Sequence, residues 1–167
     1  ASAAASAVVL ATSLEFFYLA KGAVTDSTLT FFLTACLLAY WEKRIVLAYV
    51  LAALATLTKG PVGLLFPGTI LLLELISRGD WRGFAKLQLP KGLLVYAAVA
   101  LPWYIAMYAV HGQIFIDTFL GMHNVTRFTS AEHDVSNVWT YFVPVLILGF
   151  FPWVTLLPQT VWLAWKE

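Results

Sequence analysis

Long apolar runs broken by short polar punctuation dominate this 167-residue chain. Six runs stand out, over residues 3–20, 27–41, 45–58, 61–76, 92–110 and 138–157. A helix that crosses a bilayer needs about 20 mainly apolar residues. The first and the last two runs approach that length, and the middle three are short for full spans. The pattern predicts an all-α fold: a polytopic transmembrane bundle of about six helices. Between the fifth and sixth runs, Gln113 to Phe128 sets Ile114, Phe115, Phe119, Leu120 and Met122 among polar residues. That amphipathic spacing predicts a helix lying in the membrane interface.

The punctuation fits helices. Thr25 or Asp26 is placed to N-cap the second, and Pro61 opens the fourth, where its missing N–H costs nothing. Pro67, Pro102, Pro144 and Pro152 fall inside apolar runs. Membrane helices tolerate proline when neighbours re-satisfy the freed carbonyls. The chain opens on Ala1 and ends at Glu167 just past an apolar run, so we read it as one membrane-embedded region, 1–167, of a larger protein.

Composition strengthens the membrane reading. Hydrophobic residues make up 61% of the chain and charged residues 11%, against roughly 25% charged in a soluble domain. The net charge of +1 and the lack of a basic stripe exclude a nucleic-acid partner. Six spans place Lys43, Arg44, Arg78, Arg82, Lys86, Lys91 and Lys166 on one face, and Lys21, Lys59 and Arg127 on the other. The positive-inside rule makes the first face cytoplasmic. The second face, which collects the unusual polar residues, is then the outside.

Three connections on that outer face carry candidate chemistry. Asp26 at a helix start serves as general base, metal ligand or plain N-cap, and local sequence favours the cap. Lys59, beside Gly60-Pro61, is either a lysine snorkelling to the interface or part of an anion site, with the backbone N–H groups of the following helix adding to its charge. His123 and Arg127 share one helix face at a spacing of four, where arginine holds phosphate bidentately and histidine donates to it. His133 is a further candidate. His123, His133 and Asp26 match no standard zinc spacing. Glu15, inside the first run, reads as structural, near Lys21 or water.

Several short stretches, in order, resemble the family of bacterial lipid-A aminoarabinose transferases and related protein O-mannosyltransferases, membrane glycosyltransferases of the C-class fold. They are Thr25-Asp26, Leu57-Thr58-Lys59-Gly60-Pro61-Val62, Ala100-Leu101-Pro102-Trp103-Tyr104, Gly121-Met122-His123-Asn124-Val125-Thr126-Arg127-Phe128, and Tyr141-Phe142-Val143-Pro144 running on to Gly149-Phe150-Phe151-Pro152-Trp153. The resemblance implies a multi-pass protein of the bacterial cytoplasmic (inner) membrane with its active site facing outside. It implies a polyprenyl-phosphate sugar donor, a lipid or protein acceptor, and contact with membrane lipids. It assigns Asp26 to the donor side, with room for a divalent metal there, and Lys59, His123 and Arg127 to the donor phosphate. The family's other acidic residue belongs to an earlier outer loop with no counterpart here. Two readings compete: a lipid or small-molecule transporter or flippase, which would place its polar residues near the bilayer midplane, and a non-catalytic membrane scaffold, which needs no convergence of the polar residues.

Overall fold

The computed structural model describes residues 2–22, 24–79, 83–119 and 138–166, and these are helical, with no strand among them. The helices are α1 (Ser2–Thr12), α2 (Leu14–Lys21), α3 (Thr25–Trp41), α4 (Ile45–Lys59), α5 (Val62–Arg78), α6 (Gly83–Lys86), α7 (Leu89–His111), α8 (Gln113–Phe115), α9 (Val138–Gly149) and α10 (Leu157–Lys166), with a 3-10 turn at Trp153–Leu156. They divide into two compact units, one of Ala1–Ser27 with Ala131–Glu167 and one of Thr28–Ser130.

In the larger unit, α4 is the central helix, packed against both α5 and α7. Its buried residues are Ala48, Ala52, Ala53, Ala55 and Thr56. Its Val46 and Leu47 are exposed, as are Phe31 of α3, Leu65 and Leu73 of α5 and Leu94 of α7. A water-soluble bundle does the reverse. Here small residues face inward and large apolar ones outward, as expected where lipid is the solvent and helices gain by close approach. Cys36, Ala39, Ala48 and Ala52 form the buried centre of the α3–α4 contact. The Cys36 thiol donates to the Ala48 carbonyl at 3.2 Å, so the cysteine is a small buried residue, as its apolar run suggested.

Tyrosines clasp α4 to α7 at two levels. Near one end Tyr49 Oη donates to the Leu87 carbonyl at 3.2 Å. Gly92 of α7 sits so close to the Tyr49 ring that a Cβ there would collide with it. Toward the other end, α7 sends two hydroxyls to Thr56.

In the smaller unit two long apolar runs are broken. The first run bends by 66° between α1 and α2, and the last bends by 102° after α9. The first break has a local cause. Thr12 Oγ1 donates to the Val8 carbonyl at 2.6 Å and Ser13 Oγ to the Val9 carbonyl at 2.7 Å. Such back-bonding competes with the helix ladder and bends helices. Ser13 then adopts an extended backbone. In the last run Gly149 ends α9, and a cis Phe151–Pro152 bond lies in the break. The breaks face each other. The Leu14 N–H donates to the Phe151 carbonyl at 3.1 Å, and Trp153 Nε1 donates to Thr12 Oγ1 at 2.8 Å.

Glu15 follows the first break, in the first turn of α2, where the helix N-terminus favours its charge. Its side chain packs against Gly149, where an added Cβ would lie 2.8 Å from Glu15 Cβ. Lys21, an expected neighbour of Glu15, instead sits 4.6 Å above the centre of the Phe17 ring. Gly149→Val is expected to lower stability by ~1–3 kcal/mol through overpacking, read as a lower melting temperature in detergent.

These bends change the count of spans. By length and composition, one helical stretch among the described residues, Gly83–His111, made of α6 and α7, can cross a membrane, or up to three spans if each bent pair is one. The expectation of about six also needs α3, α4 and α5, which at 17, 15 and 17 residues are about 22–26 Å long. The hydrocarbon core is about 30 Å thick, so these three fall short by themselves, as their runs suggested. Pro67, Pro102 and Pro144 lie inside α5, α7 and α9 without ending them. Pro152 does not: the run it interrupts turns there.

Candidate functional site

The junction of α4 and α5 is built around Thr56. This threonine is 3% exposed and both of its oxygens are engaged. Its Oγ1 donates to the Ala52 carbonyl at 3.0 Å and accepts from Tyr96 Oη at 3.1 Å. Its carbonyl accepts the Gly60 N–H at 2.7 Å and Tyr104 Oη at 3.2 Å. On the third side, α5 passes so close at Gly63 that an added Cβ would strike the backbone of Ala55 and Thr56. Three helices are thus pinned to one residue, a single turn before Lys59.

Lys59 is the last residue of α4 and is exposed. Gly60, with φ 85°, makes the reversal into α5. The carbonyl end of α4 and the amide end of α5 therefore adjoin, and their opposite partial charges offset one another. The charged side chain at the junction is Lys59. The sequence suggested that free N–H groups at the start of α5 would add to an anion site. The structure corrects this: the Gly63 N–H donates to the Gly60 carbonyl at 3.1 Å, and those of Leu64 and Leu65 donate to the Pro61 carbonyl at 3.1 and 3.0 Å. These three donors are taken up on carbonyls of the Gly60-Pro61 turn, so anion binding here would rest mainly on the lysine.

One turn into α5, at Leu64 and Leu65, begins an apolar groove of about 380 Å³ between α3, α4, α5 and α7. Cys36, Tyr49, Ala52 and Pro67 also line it. The small residues that let α4 approach its neighbours leave this space beside the bulkier ones.

Beyond Tyr104 lies an aromatic cluster that sequence reasoning missed. Trp103 and Tyr104 of α7 meet Phe115 and Phe119 edge-on or tilted, with ring centres 5.8–6.2 Å apart. Phe115 and Phe119 stack on each other at 5.3 Å. Residues 116–119 continue α8 as a π-helical turn, a form often found near functional sites. Gln113 Nε2 donates to Asp117 Oδ1 at 3.1 Å across that turn. The beginning of the expected interfacial helix is therefore helical. The sequence signal for the clasp was faint: Tyr96 and Tyr104 are eight apart and so near one face of α7, but Trp103 and Tyr108 lie in the same helix.

The other candidates are placed as follows. Asp26 lies in the first turn of α3, not at its N-cap, because the helix already starts at Thr25. A carboxylate there is stabilised by the helix N-terminus. Beside it Ser27 Oγ is buried without a hydrogen-bond partner among the described residues. Asp26 belongs to the smaller unit and Lys59 to the larger. His123, Arg127 and His133 lie outside the described residues. Among the described residues no group of three His, Cys, Asp or Glu is placed to hold a metal ion, so Asp26 has no such set of fellow ligands there.

No protein-family model matches the chain. An uncharacterized protein of Aquifex aeolicus is 35% identical over 125 residues, which cover 75% of this chain and 28% of that protein. The undecaprenyl phosphate-alpha-4-amino-4-deoxy-L-arabinose arabinosyl transferase of Photorhabdus laumondii is 29% identical over 183 residues, 96% of this chain and 32% of the relative. Among solved structures, ArnT from Cupriavidus metallidurans bound to undecaprenyl phosphate superimposes with a TM-score of 0.66 at 26% identity, over 86% of this chain and 26% of that one. The same protein in its apo state gives 0.63 at 25% identity. The chain spans about three-tenths of the length of the curated relatives it matches. The two lines of likeness, in sequence and in helical fold, agree: over most of its length the chain is similar to one part of the ArnT aminoarabinose transferases, and like them it is helical and apolar.

Proposed function

We propose that this chain is part of the membrane domain of a glycosyltransferase that moves a sugar from a polyprenyl-phosphate donor to a lipid or protein acceptor. One observation carries the reading: an exposed lysine ends α4 at the turn into α5, and an apolar groove runs between these helices from Leu64 of α5 and Ala52 of α4 onward. A polyprenyl phosphate has that same division, a charged head on a long apolar tail. Lys59 holds the phosphate and the groove takes the first part of the tail. The Photorhabdus relative is named for an undecaprenyl-phosphate aminopentose, which supports an amino sugar as the group transferred.

Transfer breaks the bond between the sugar's anomeric carbon and a phosphate oxygen. Charge grows on the departing phosphate, and a fixed cation in a water-poor setting stabilises that charge more than it stabilises the bound donor. In this proposal Lys59 supplies that cation, joined by Arg127 and His123. Asp26 takes the proton from the acceptor. His133 and a divalent metal at Asp26 have no assigned step. The Lys59 end of the bundle faces outside, because Arg44 precedes α4, Arg78 ends α5 and Lys86 ends α6 at the opposite end.

The broken helices of the smaller unit raise the transporter reading again, since transporters build substrate sites at such breaks. Here the Leu14 N–H, the Phe151 carbonyl, the Trp153 indole and the Thr12 hydroxyl are used on one another across the two breaks. These groups serve packing and are not held ready for a substrate, which favours the transferase.

The test uses the full-length protein in liposomes with a radiolabelled undecaprenyl-phosphate aminopentose and, separately, a polyprenyl-phosphate hexose. Time-dependent release of undecaprenyl phosphate, with label appearing on an added lipid or protein acceptor, is expected. Donor that crosses the bilayer without being consumed would replace this reading with the transporter. Parallel runs with EDTA and with added Mg2+ or Mn2+ read the metal dependence.

A further inference from the structure

The α4–α7 contact contains two tyrosine hydroxyls on one buried threonine, and they do different things. Tyr96 Oη reaches the Thr56 side chain at 3.1 Å. Tyr104 Oη reaches the Thr56 main-chain carbonyl at 3.2 Å, which also accepts the Gly60 N–H that closes α4. Only the second bond bears directly on the backbone that ends in Lys59. The Tyr104 ring is also in the aromatic cluster, against Trp103, Phe115 and Phe119. Tyr104 therefore joins the last turn of α4 to the turn formed by residues 113–119, which leads in sequence to the stretch holding His123 and Arg127.

A lysine is a flexible point charge on a four-carbon stem. Its usefulness to a transition state depends on where its backbone is held, because small misplacement of a catalytic group costs rate steeply. We propose that Tyr104 is a positioning residue for the donor phosphate: its hydroxyl fixes the helix end that presents Lys59, while its ring fixes the neighbouring turn at Phe115 and Phe119. This inference rests on the reading of Lys59 as the phosphate ligand. Tyr104 itself touches no reacting atom in it.

The experiment compares full-length wild type, Tyr104→Phe, Tyr96→Phe, Lys59→Ala and the double variant Lys59→Ala/Tyr104→Phe in the donor-consumption assay. Tyr104→Phe keeps the ring contacts and removes only the bond to the carbonyl. It is expected to lower kcat roughly tenfold, with donor KM changed less than about twofold, as misplacement of a group that acts mainly in the transition state predicts. Tyr96→Phe removes a comparable bond from the same threonine and controls for lost stability. Its kcat is expected to stay within about twofold of wild type. In the Lys59→Ala background, Tyr104→Phe is expected to cost less than about twofold more, because residues that act through one another are not additive.

Three results overturn the proposal. They are a Tyr104→Phe enzyme with wild-type kcat, equal losses in the two Phe variants, and a full additional loss in the double variant. In each of these the wild type consumes donor, so the transferase reading stands without this residue. If wild type consumes no polyprenyl-phosphate sugar, that reading fails and this inference falls with it.

Discussion

Lys59→Ala is expected to reduce donor consumption by ~100- to 1,000-fold, the usual cost of deleting one fixed group that stabilises transition-state charge. The size follows from the junction. The α5 donors at Gly63, Leu64 and Leu65 are turned onto the Gly60 and Pro61 carbonyls, and the two helix ends offset each other, so little local backbone charge can take over from the missing ammonium. Lys59→Arg keeps the charge with a different shape and donor geometry, and should recover part of the rate. Both variants should remain folded, because Lys59 is exposed and the Thr56 bonds do not involve its side chain. The measurement is the rate of undecaprenyl phosphate release at saturating donor, with size-exclusion profiles to confirm folding. A Lys59→Ala protein with wild-type kinetics would return this residue to an ordinary snorkelling lysine.

The largest expected effect on stability is at Gly63. A methyl group there meets the backbone of Ala55 and Thr56, and backbone atoms of a packed helix cannot swing aside as the end of a side chain can. Gly63→Ala should therefore cost at least the ~1–3 kcal/mol typical of overpacking. It would do so by pushing α5 from α4 and loosening the Tyr96 and Tyr104 clasp. Gly68, five residues on in the same helix, has open space around its added Cβ. Gly68→Ala should be neutral or gain up to ~1 kcal/mol from helix propensity. Melting both variants in the same detergent settles the matter, since one chemical change made twice on one helix should move the midpoint in unequal and opposed ways. Equal shifts would show that the close approach at Gly63 does not hold the α4–α5 pair together.

The helical membrane architecture was legible because it depends on composition and run length, which a sequence states outright. Helix boundaries were also close: Lys59 ends α4 and Pro61 directly precedes α5. The bends were not legible. Thr12-Ser13 reads as two small polar residues in an apolar run, and their effect depends on which carbonyls their hydroxyls find. Pro152 resembles Pro67, Pro102 and Pro144 in sequence, yet the run turns only there. The candidate site was half legible. Lys59 stood out as a lone charge between apolar runs, while Thr56 and Tyr104 did not: Thr56 is one small polar residue in an apolar run, and Tyr104 is one of several aromatic residues in α7. Asp26 was expected as a cap and lies inside the first turn, a shift of a residue or two that local preference does not resolve.

The inward-facing alanines of α4 have a consequence for how this sequence can drift over time. In a water-soluble bundle the core resists change and the surface varies. Here the lipid-facing positions, such as Val46, Leu73 and Leu94, should exchange freely among Leu, Ile, Val and Phe, because acyl chains conform to any of these shapes. Ala52, Ala53 and Ala55 should accept little beyond glycine or serine, since each is 3% exposed or less and lies where helices meet closely. A saturation library of α4 would then show a tolerance map in which residue size, not polarity, separates survivors from losses, with the strictest positions held by the smallest side chains.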